Sequence, residues 1–253
     1  MQNDIMILIK DICKSFPTVT GDERLVLENV NLAIKAGEII CILGYSGCGK
    51  TTLLRIVSAI EKPTSGEIWI NGKAHSKPSR NALLLFQDFN QLFPWKTVYG
   101  NIIYPILSVE KGVTKAEAHE RANELICAVG LDGYQDSYPH QLSGGMKQRA
   151  AVARCLALRP SVLLMDEPFA SLDATTRSVL QRLTVSVCHR YSITAMMVTH
   201  SVEEALIMGD RIAIMTPSSH RIQSIINNYD YEKQITDKTE KIAQIINFMN
   251  SKL

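Results

Sequence analysis

Two apolar rhythms divide this chain. Leu25, Leu27, Val30, Leu32 and Ile34 keep a strand-like beat up to Gly37, and residues 39–43 then form a short unbroken apolar run, the pattern of a strand covered on both faces. Further runs at 162–165 and 193–198 each come after a helix-like segment. Buried strands alternating with helices predict a parallel sheet joined by crossover helices, an α/β core. Stretches 67–70 and 83–86 also read as strands, the first entered through the turn Pro63-Thr64-Ser65-Gly66. Residues 91–141 change to a helical rhythm. There Thr114 and Glu117 make a capping box, Ala118, Ala122, Leu125, Ile126 and Val129 follow at helical spacing, and Gly130 marks the stop. Beyond Pro217 the chain is polar, with one amphipathic helix whose Ile242, Ile245, Ile246 and Met249 share a face. The pattern suggests a domain over 5–217, its core about 5–90 and 155–217 and its helical part about 91–154, followed by an extension over 218–253 expected to pack on its own domain.

With 253 residues, 46% hydrophobic and 21% charged, the chain has material for a sizeable core. Net charge is +2 with the basic residues scattered, so the electrostatic footprint that nucleic acid demands is missing. Cys13, Cys41, Cys48, Cys127, Cys155 and Cys188 contain no C-x-x-C pair and read as reduced thiols of a cytosolic protein. The start has a five-residue apolar run without the basic lead or cleavage site of a signal peptide. No stretch reaches the roughly 18 to 20 apolar residues of a membrane span. In a membrane process, another chain is expected to do the crossing.

The chemistry begins at Gly44-Tyr45-Ser46-Gly47-Cys48-Gly49-Lys50-Thr51, the pattern G-x-x-x-x-G-K-[ST], placed between the buried run 39–43 and a helical run from Thr52 to Ile60. Glycines let backbone wrap around phosphate oxygens, a helix start supplies positive potential, and Lys50 adds a point charge. Thr51 offers a hydroxyl to Mg²⁺. Such a loop binds a mononucleotide, whatever chemistry follows. Cys48, among backbone amides beside Lys50, is expected to be partly ionised and shielded by ATP from alkylation.

The apolar run 162–165 ends in Asp166 and Glu167. One carboxylate after such a strand can face Mg²⁺ and the next an attacking water. Upstream, Leu142-Ser143-Gly144-Gly145 opens a helix running through Leu158, a second glycine-rich helix start able to hold an anion. One nucleotide does not need both starts. A head-to-tail pair, in which each chain's second start covers the other's nucleotide, is the simple solution.

Taken together, residues 7–215 resemble the nucleotide-binding subunit of an ATP-binding-cassette (ABC) transporter. Leu142 to Gly145 resembles the family signature, Gln87 the Q-loop, Ser171-Leu172-Asp173 the D-loop, and His200, at a strand-to-helix corner before a capping box of Ser201 with Glu204, the switch histidine. Phe16 stands where the family places an aromatic against adenine. The resemblance implies a phosphate-loop fold with a parallel-sheet core, an N-terminal antiparallel β subdomain and an inserted helical subdomain. It implies that Ser143 and Gly145 meet the γ-phosphate of the partner's ATP with Gly144 also at that nucleotide, that Gln87 senses Mg²⁺ and the membrane subunit, and that Asp173 contacts the dimer partner. Lys50, Glu167, His200 and Gln87 would be catalytic, with Thr51, Gln87 and Asp166 at the metal and the loop from Gly44 to Thr52 on the nucleotide. Where the family signature commonly continues with glutamine, this chain has Met146. That departure, with residues 92–98 including Pro94-Trp95, is similar to the branch importing nitrate, sulfonates, taurine and pyrimidine precursors. Met146 is expected to pack, not touch phosphate.

The implied protein is an ATPase using MgATP, a homodimer or paired cassette on the cytoplasmic face of a membrane. Its partners would be integral permease subunits and, indirectly, an extracytoplasmic solute-binding protein. A soluble cassette ATPase uncoupled from transport is the alternative. It usually brings tandem cassettes or a long coiled-coil insertion, and neither occurs. A binding module without turnover is disfavoured by Glu167 and His200, and a GTPase by the absence of N-K-x-D.

Overall fold

A computed structural model describes residues 4–19, 21–86, 91–110, 112–228 and 238–251, with side chains of the last stretch from 242 onward. The first half runs β1 (Ile5–Pro17), β2 (Glu23–Lys35), β3 (Ile39–Gly44), α1 (Lys50–Val57), β4 (Ser65–Ile70), β5 (Lys73–Ala74) and β6 (Ala82–Leu85). Helices α2 (Val98–Val109), α3 (Lys115–Ala128) and α4 (Gly144–Ala157) follow. The chain then returns through β7 (Val162–Asp166), α5 (Ala174–Arg190), β8 (Thr194–Thr199), α6 (Val202–Met208), β9 (Arg211–Met215), β10 (Ile222–Asn227) and α7 (Lys238–Asn250).

Two sheets result. One has the order β2-β1-β4-β5, with every pairing antiparallel. The other has the order β10-β9-β3-β8-β7-β6, parallel throughout except for β10 on its edge. Strand side chains alternate between faces, and in β3 that alternation divides the core. Ile40 and Ile42 join a cluster with α1 and the antiparallel sheet. Ile39, Cys41 and Leu43 join one with the helices of the other side. All six β3 residues are buried, which is why the run is unbroken in apolarity. No helix among the described residues is long and apolar enough to cross a membrane.

Several sequence expectations are refined. In β2 the buried positions change phase, from Leu27 to Val30, Leu32 and Ile34, while Leu25 is exposed. Asn29 takes the extra step at φ +47, as a bulge does. Facing it, β1 slips between Ile9 and Ile12 with Asp11 at φ +51, and the Asp11 amide donates to Asn31 Oδ1 at 3.0 Å. Helix α3 has the expected capping box, Glu117 N donating to Thr114 Oγ1 at 3.2 Å and Thr114 N to Glu117 Oε2 at 2.8 Å. Helix α1 is shorter than expected. It stops at Val57, Ala59 turns left-handed at φ +59, and the amides of Ile60 and Ala59 close onto the carbonyls of Arg55 and Ile56. That is the glycine-type C-terminal closure carried out by an alanine, and it leaves Ile60 exposed.

The polar region after Pro217 supplies β10, which the apolar rhythm does not signal because its residues alternate half-buried and exposed. In α7, Ile245 and Met249 are buried against the core and Ile242 packs partly on it, but Ile246 is exposed. The apolar face is therefore narrower than its four residues suggest.

An alanine Cβ in the left-handed region costs about 1 kcal/mol or more. Ala59→Gly should therefore raise unfolding stability by about 1 kcal/mol, less the extra unfolded-state entropy of glycine. A denaturant midpoint at or below that of the unaltered chain would show that Ala59 is unstrained.

Candidate functional site

Parallel strands end on one edge of the sheet, and ligands bind outside those ends. β3 ends at Gly44, β7 at Asp166 and β8 at Thr199, with Leu43 paired to Thr199 and Asp166 to Val198. The phosphate loop, the acidic pair and His200 therefore leave the sheet side by side. A cleft of about 340 Å³ opens there, lined by Arg24, Val26, Ser46, Gly47, Gly49, Lys50, Thr51, Thr52 and Glu167.

The loop has little room for side chains. Gly47 and Gly49 have φ +83 and +99, and a Cβ on Gly49 would stand 2.8 Å from the Val26 carbonyl oxygen. A Cβ on Gly44 would meet the Met215 carbonyl oxygen at 2.4 Å. Gly49 precedes α1 with no side-chain cap and no acid in the first turn, so the first amides of that helix stay available to an anion. Lys50 Nζ donates to the carbonyls of Gly44 at 2.8 Å and Tyr45 at 2.9 Å. The Tyr45 hydroxyl is hydrogen-bonded to Asn250 at the end of α7.

At the metal position Thr51 Oγ1 donates to Asp166 Oδ1 at 3.0 Å. Burial pushes the Asp166 carboxyl above the usual carboxylate range, the Thr51 hydrogen bond opposes it, and Glu167 adds repulsion. Among the described residues no group of three or more His, Cys, Asp or Glu could hold a metal alone. The two oxygens suit a hard cation that completes its shell with water and phosphate oxygens, the habit of Mg²⁺. The site therefore fits Mg²⁺ together with a phosphate ligand. Beside it, His200 Nδ1 lies 3.1 Å from Glu167 Oε2, with His200 largely exposed and Glu167 mostly covered.

His200 is held from behind. Ser201 caps α6 by accepting from the Glu204 amide at 3.3 Å, as the expected capping box requires. The Glu204 carboxylate, however, turns inward to the Thr199 hydroxyl at 2.6 Å and to Gln181. The box is therefore half made, and the buried carboxylate ties α5 to the corner beneath His200.

The remaining predicted residues lie apart from the cleft lining. Ser143 caps α4, accepting from the Met146 amide at 3.3 Å, and both Ser143 and Gly144 are exposed. Met146 packs partly against the core, as expected. Asp173 caps α5, accepting from the Thr176 amide at 3.0 Å, a bond that lowers its pKa. Phe16 is half-buried beneath Lys14, whose Nζ lies 4.5 Å from its ring centroid, and pairs across β1 and β2 with Arg24 at the cleft. Gln87 falls outside the described residues. After it, Phe93 stacks on Trp95 at 5.4 Å and meets Tyr104 edge-on at 5.8 Å, with the Arg154 guanidinium 4.2 Å from the Phe93 centroid. Trp95 is 69% exposed and is no anchor in the core.

A family profile described as ABC transporter matches residues 27–170, which include the loop, the signature segment and both acids. The chain belongs to the ABC transporter family. This cassette is 44% identical over 212 residues to the bicarbonate transport ATP-binding protein of Synechococcus elongatus, a match covering 84% of this chain and 32% of that protein, so the chain spans about a third of that relative. It is 40% identical over 232 residues to the aliphatic sulfonates import ATP-binding protein of Bacillus thuringiensis subsp. konkukian, covering 91% and 90% of the two chains. Among solved structures, a dimeric ATP-binding cassette in a post-hydrolysis state bound to ADP and Pi superposes with a TM-score of 0.77 at 31% identity, covering 88% of this chain and 98% of that one. The cassette thus has the ABC ATPase fold.

Sequence patterns miss Arg24 and Val26, which reach the cleft only because β2 packs against the loop. One expectation fails. Cys48 is fully buried, and burial pushes its thiol up further than Lys50 draws it down, so it is not an ionised, reactive thiol. Native cassette treated with a thiol alkylator should be labelled at exposed Cys127 and stay unlabelled at Cys48 with or without ATP. Peptide mass mapping that finds Cys48 modified first would reverse this assignment.

The raised Asp166 carboxyl has a second consequence. A cation needs the carboxylate, so Mg²⁺ affinity in the presence of ADP should fall as pH is lowered, beginning above the ordinary aspartate value of about 3.9. Calorimetry should show this fall, and Asp166→Asn should flatten it. An equal pH slope in the variant would place the titrating group elsewhere.

Proposed function

We propose that the chain is the ATP-hydrolysing subunit of a membrane importer, acting at the cytoplasmic face as one half of a pair that closes on ATP. The observation that carries this reading is the placement of the two anion-binding helix starts. Lys50, Thr51, Asp166, Glu167 and His200 surround one cleft, while Ser143 and Gly144 stand exposed and Gly145 half-buried outside its lining. A second chain in head-to-tail contact would bring its own start to that cleft. The dimeric assembly of the solved relative supports this.

In hydrolysis, Lys50 and the loop amides hold the phosphate oxygens and stabilise the charge that spreads over them. Thr51 and Asp166 would hold Mg²⁺, which would supply positive charge to neutralise the phosphates. Glu167 orients the attacking water and accepts its proton. His200, whose Nδ1 lies 3.1 Å from Glu167 Oε2, keeps that carboxylate turned into the cleft and faces the γ-phosphate. Arg24 lines the cleft and Phe16 is its strand partner, so the base of the nucleotide would rest toward Phe16. Asp173 contacts the partner cassette. ATP must bind the closed pair more tightly than the open one for closure to follow binding.

The helical part, about 91–154, transmits that closure to permease subunits. Gln87 and the solvent-facing cluster of Phe93, Trp95 and Tyr104 are the contact surface, since exposed aromatic groups with a cationic neighbour mark interfaces. The solute belongs to the nitrate, sulfonate and taurine type. The cargoes in the relatives' names, bicarbonate and aliphatic sulfonates, are likewise small oxyanions. An extracytoplasmic binding protein would deliver it, and no nucleic acid takes part.

Purified chain should release phosphate from MgATP. Glu167→Gln should retain ATP binding and lose at least about 100-fold in turnover, the scale of a positioned general base. Near-normal phosphate release by that variant would remove Glu167 from the mechanism.

A further inference from the structure

Glu167 has φ +43, a left-handed conformation that side-chain-bearing residues avoid. It also precedes Pro168, whose ring steers the preceding residue toward extended backbone. Strain of this kind persists only where the surroundings impose it. On the sheet side, the Glu167 amide donates to the Val198 carbonyl at 3.1 Å and His200 Nδ1 meets its carboxylate at 3.1 Å. Beyond it, the Ala170 amide donates to the Glu167 carbonyl at 3.3 Å.

A further contact comes from α4. The side-chain amide of Gln148 donates to the carbonyl of Pro168. Gln148 is 1% exposed, and among the described residues its buried Oε1 has no hydrogen-bond partner. A carbonyl can only accept, so Nε2 must face Pro168 and the oxygen is left stranded. An unmatched buried acceptor is a stability cost that an apolar side chain of equal length would avoid. Gln148 is therefore a poor choice for packing alone.

We infer that Gln148 is a positioning residue for ATP hydrolysis, clamping the Pro168 carbonyl so that Glu167 keeps the strained backbone that aims its carboxylate into the cleft. The inference rests on the ATPase reading above. It also joins the two ends of the composite arrangement within one chain. Gln148 lies on the helix that begins with Gly144 and Gly145, and a Cβ on Gly145 would stand 3.4 Å from Leu172 beside Asp173. The segment offered to the partner's nucleotide is thus in contact with the loop that carries the base serving the chain's own.

The test is Gln148→Met, which keeps length and removes both polar atoms. We expect kcat to fall at least about tenfold, as a small misplacement of a catalytic group can. KM for ATP should change less than about twofold, and the thermal midpoint should be equal or higher because the stranded oxygen is gone. As a second measurement, Gln148→Met placed on Glu167→Gln should leave ATP-dependent pairing, followed by sedimentation, unchanged. Wild-type kcat in Gln148→Met would overturn the inference. So would a joint loss of kcat, ATP affinity and thermal midpoint, or lost pairing in the double variant, since each marks a packing residue. If the unaltered chain releases no phosphate from MgATP, the ATPase reading falls and this inference falls with it.

Discussion

The parallel register of β3, β8 and β7 is the constraint on which the site depends. Leu43 pairs with Thr199, and Asp166 with Val198, so a phosphate loop, a histidine corner and an acidic pair from distant parts of the sequence leave the sheet on one edge. A one-residue slip of β7 would turn Asp166 away from Thr51 and exchange its core faces. That slip is blocked because both faces are buried: Leu163 and Met165 pack on one cluster and Val162 and Leu164 on the other. Site geometry is thus a by-product of two cores that disagree with any other register.

Residues were legible where a single local rule governed them. The unbroken runs of β3, β7 and β8 needed only burial on both faces, and the capping box of α3 needed only Thr114 and Glu117. The loop from Gly44 to Thr51 was legible because its glycines answer to backbone crowding that any phosphate cradle imposes. The two-sheet arrangement was not legible from apolar rhythm. The beat in β1 and β2 is broken by bulges at Asp11 and Asn29, and the antiparallel sheet entered only through the family resemblance.

The misses share one cause, since each depends on what a residue meets across the fold. Cys48 sits beside Lys50 in sequence, which suggests an ionised thiol, but the loop folds it against the Gly44 backbone and out of water. Glu204 has the spacing of a capping-box acid, yet Thr199 and Gln181 offer a buried carboxylate better partners than the Ser201 amide does. Strand β10 alternates too weakly to announce itself and forms because β9 leaves an edge to pair with. Arg24 has no motif at all, and only the packing of β2 on the loop brings it to the cleft.

The exposed signature segment can be weighed by the same physics. Glycine at a helix start costs conformational entropy, and it is retained where something must approach the backbone closely. Among the described residues nothing does: a Cβ on Gly144 would meet no atom within 4 Å, in contrast to Gly44 and Gly49, whose neighbours leave no space. In the proposed pair, the closeness that Gly144 provides would serve a group outside the chain. Ser143 presents its hydroxyl beside it at the positive end of α4, which suits an anion. A second copy presenting a nucleotide phosphate in its own glycine-walled cleft would satisfy both demands.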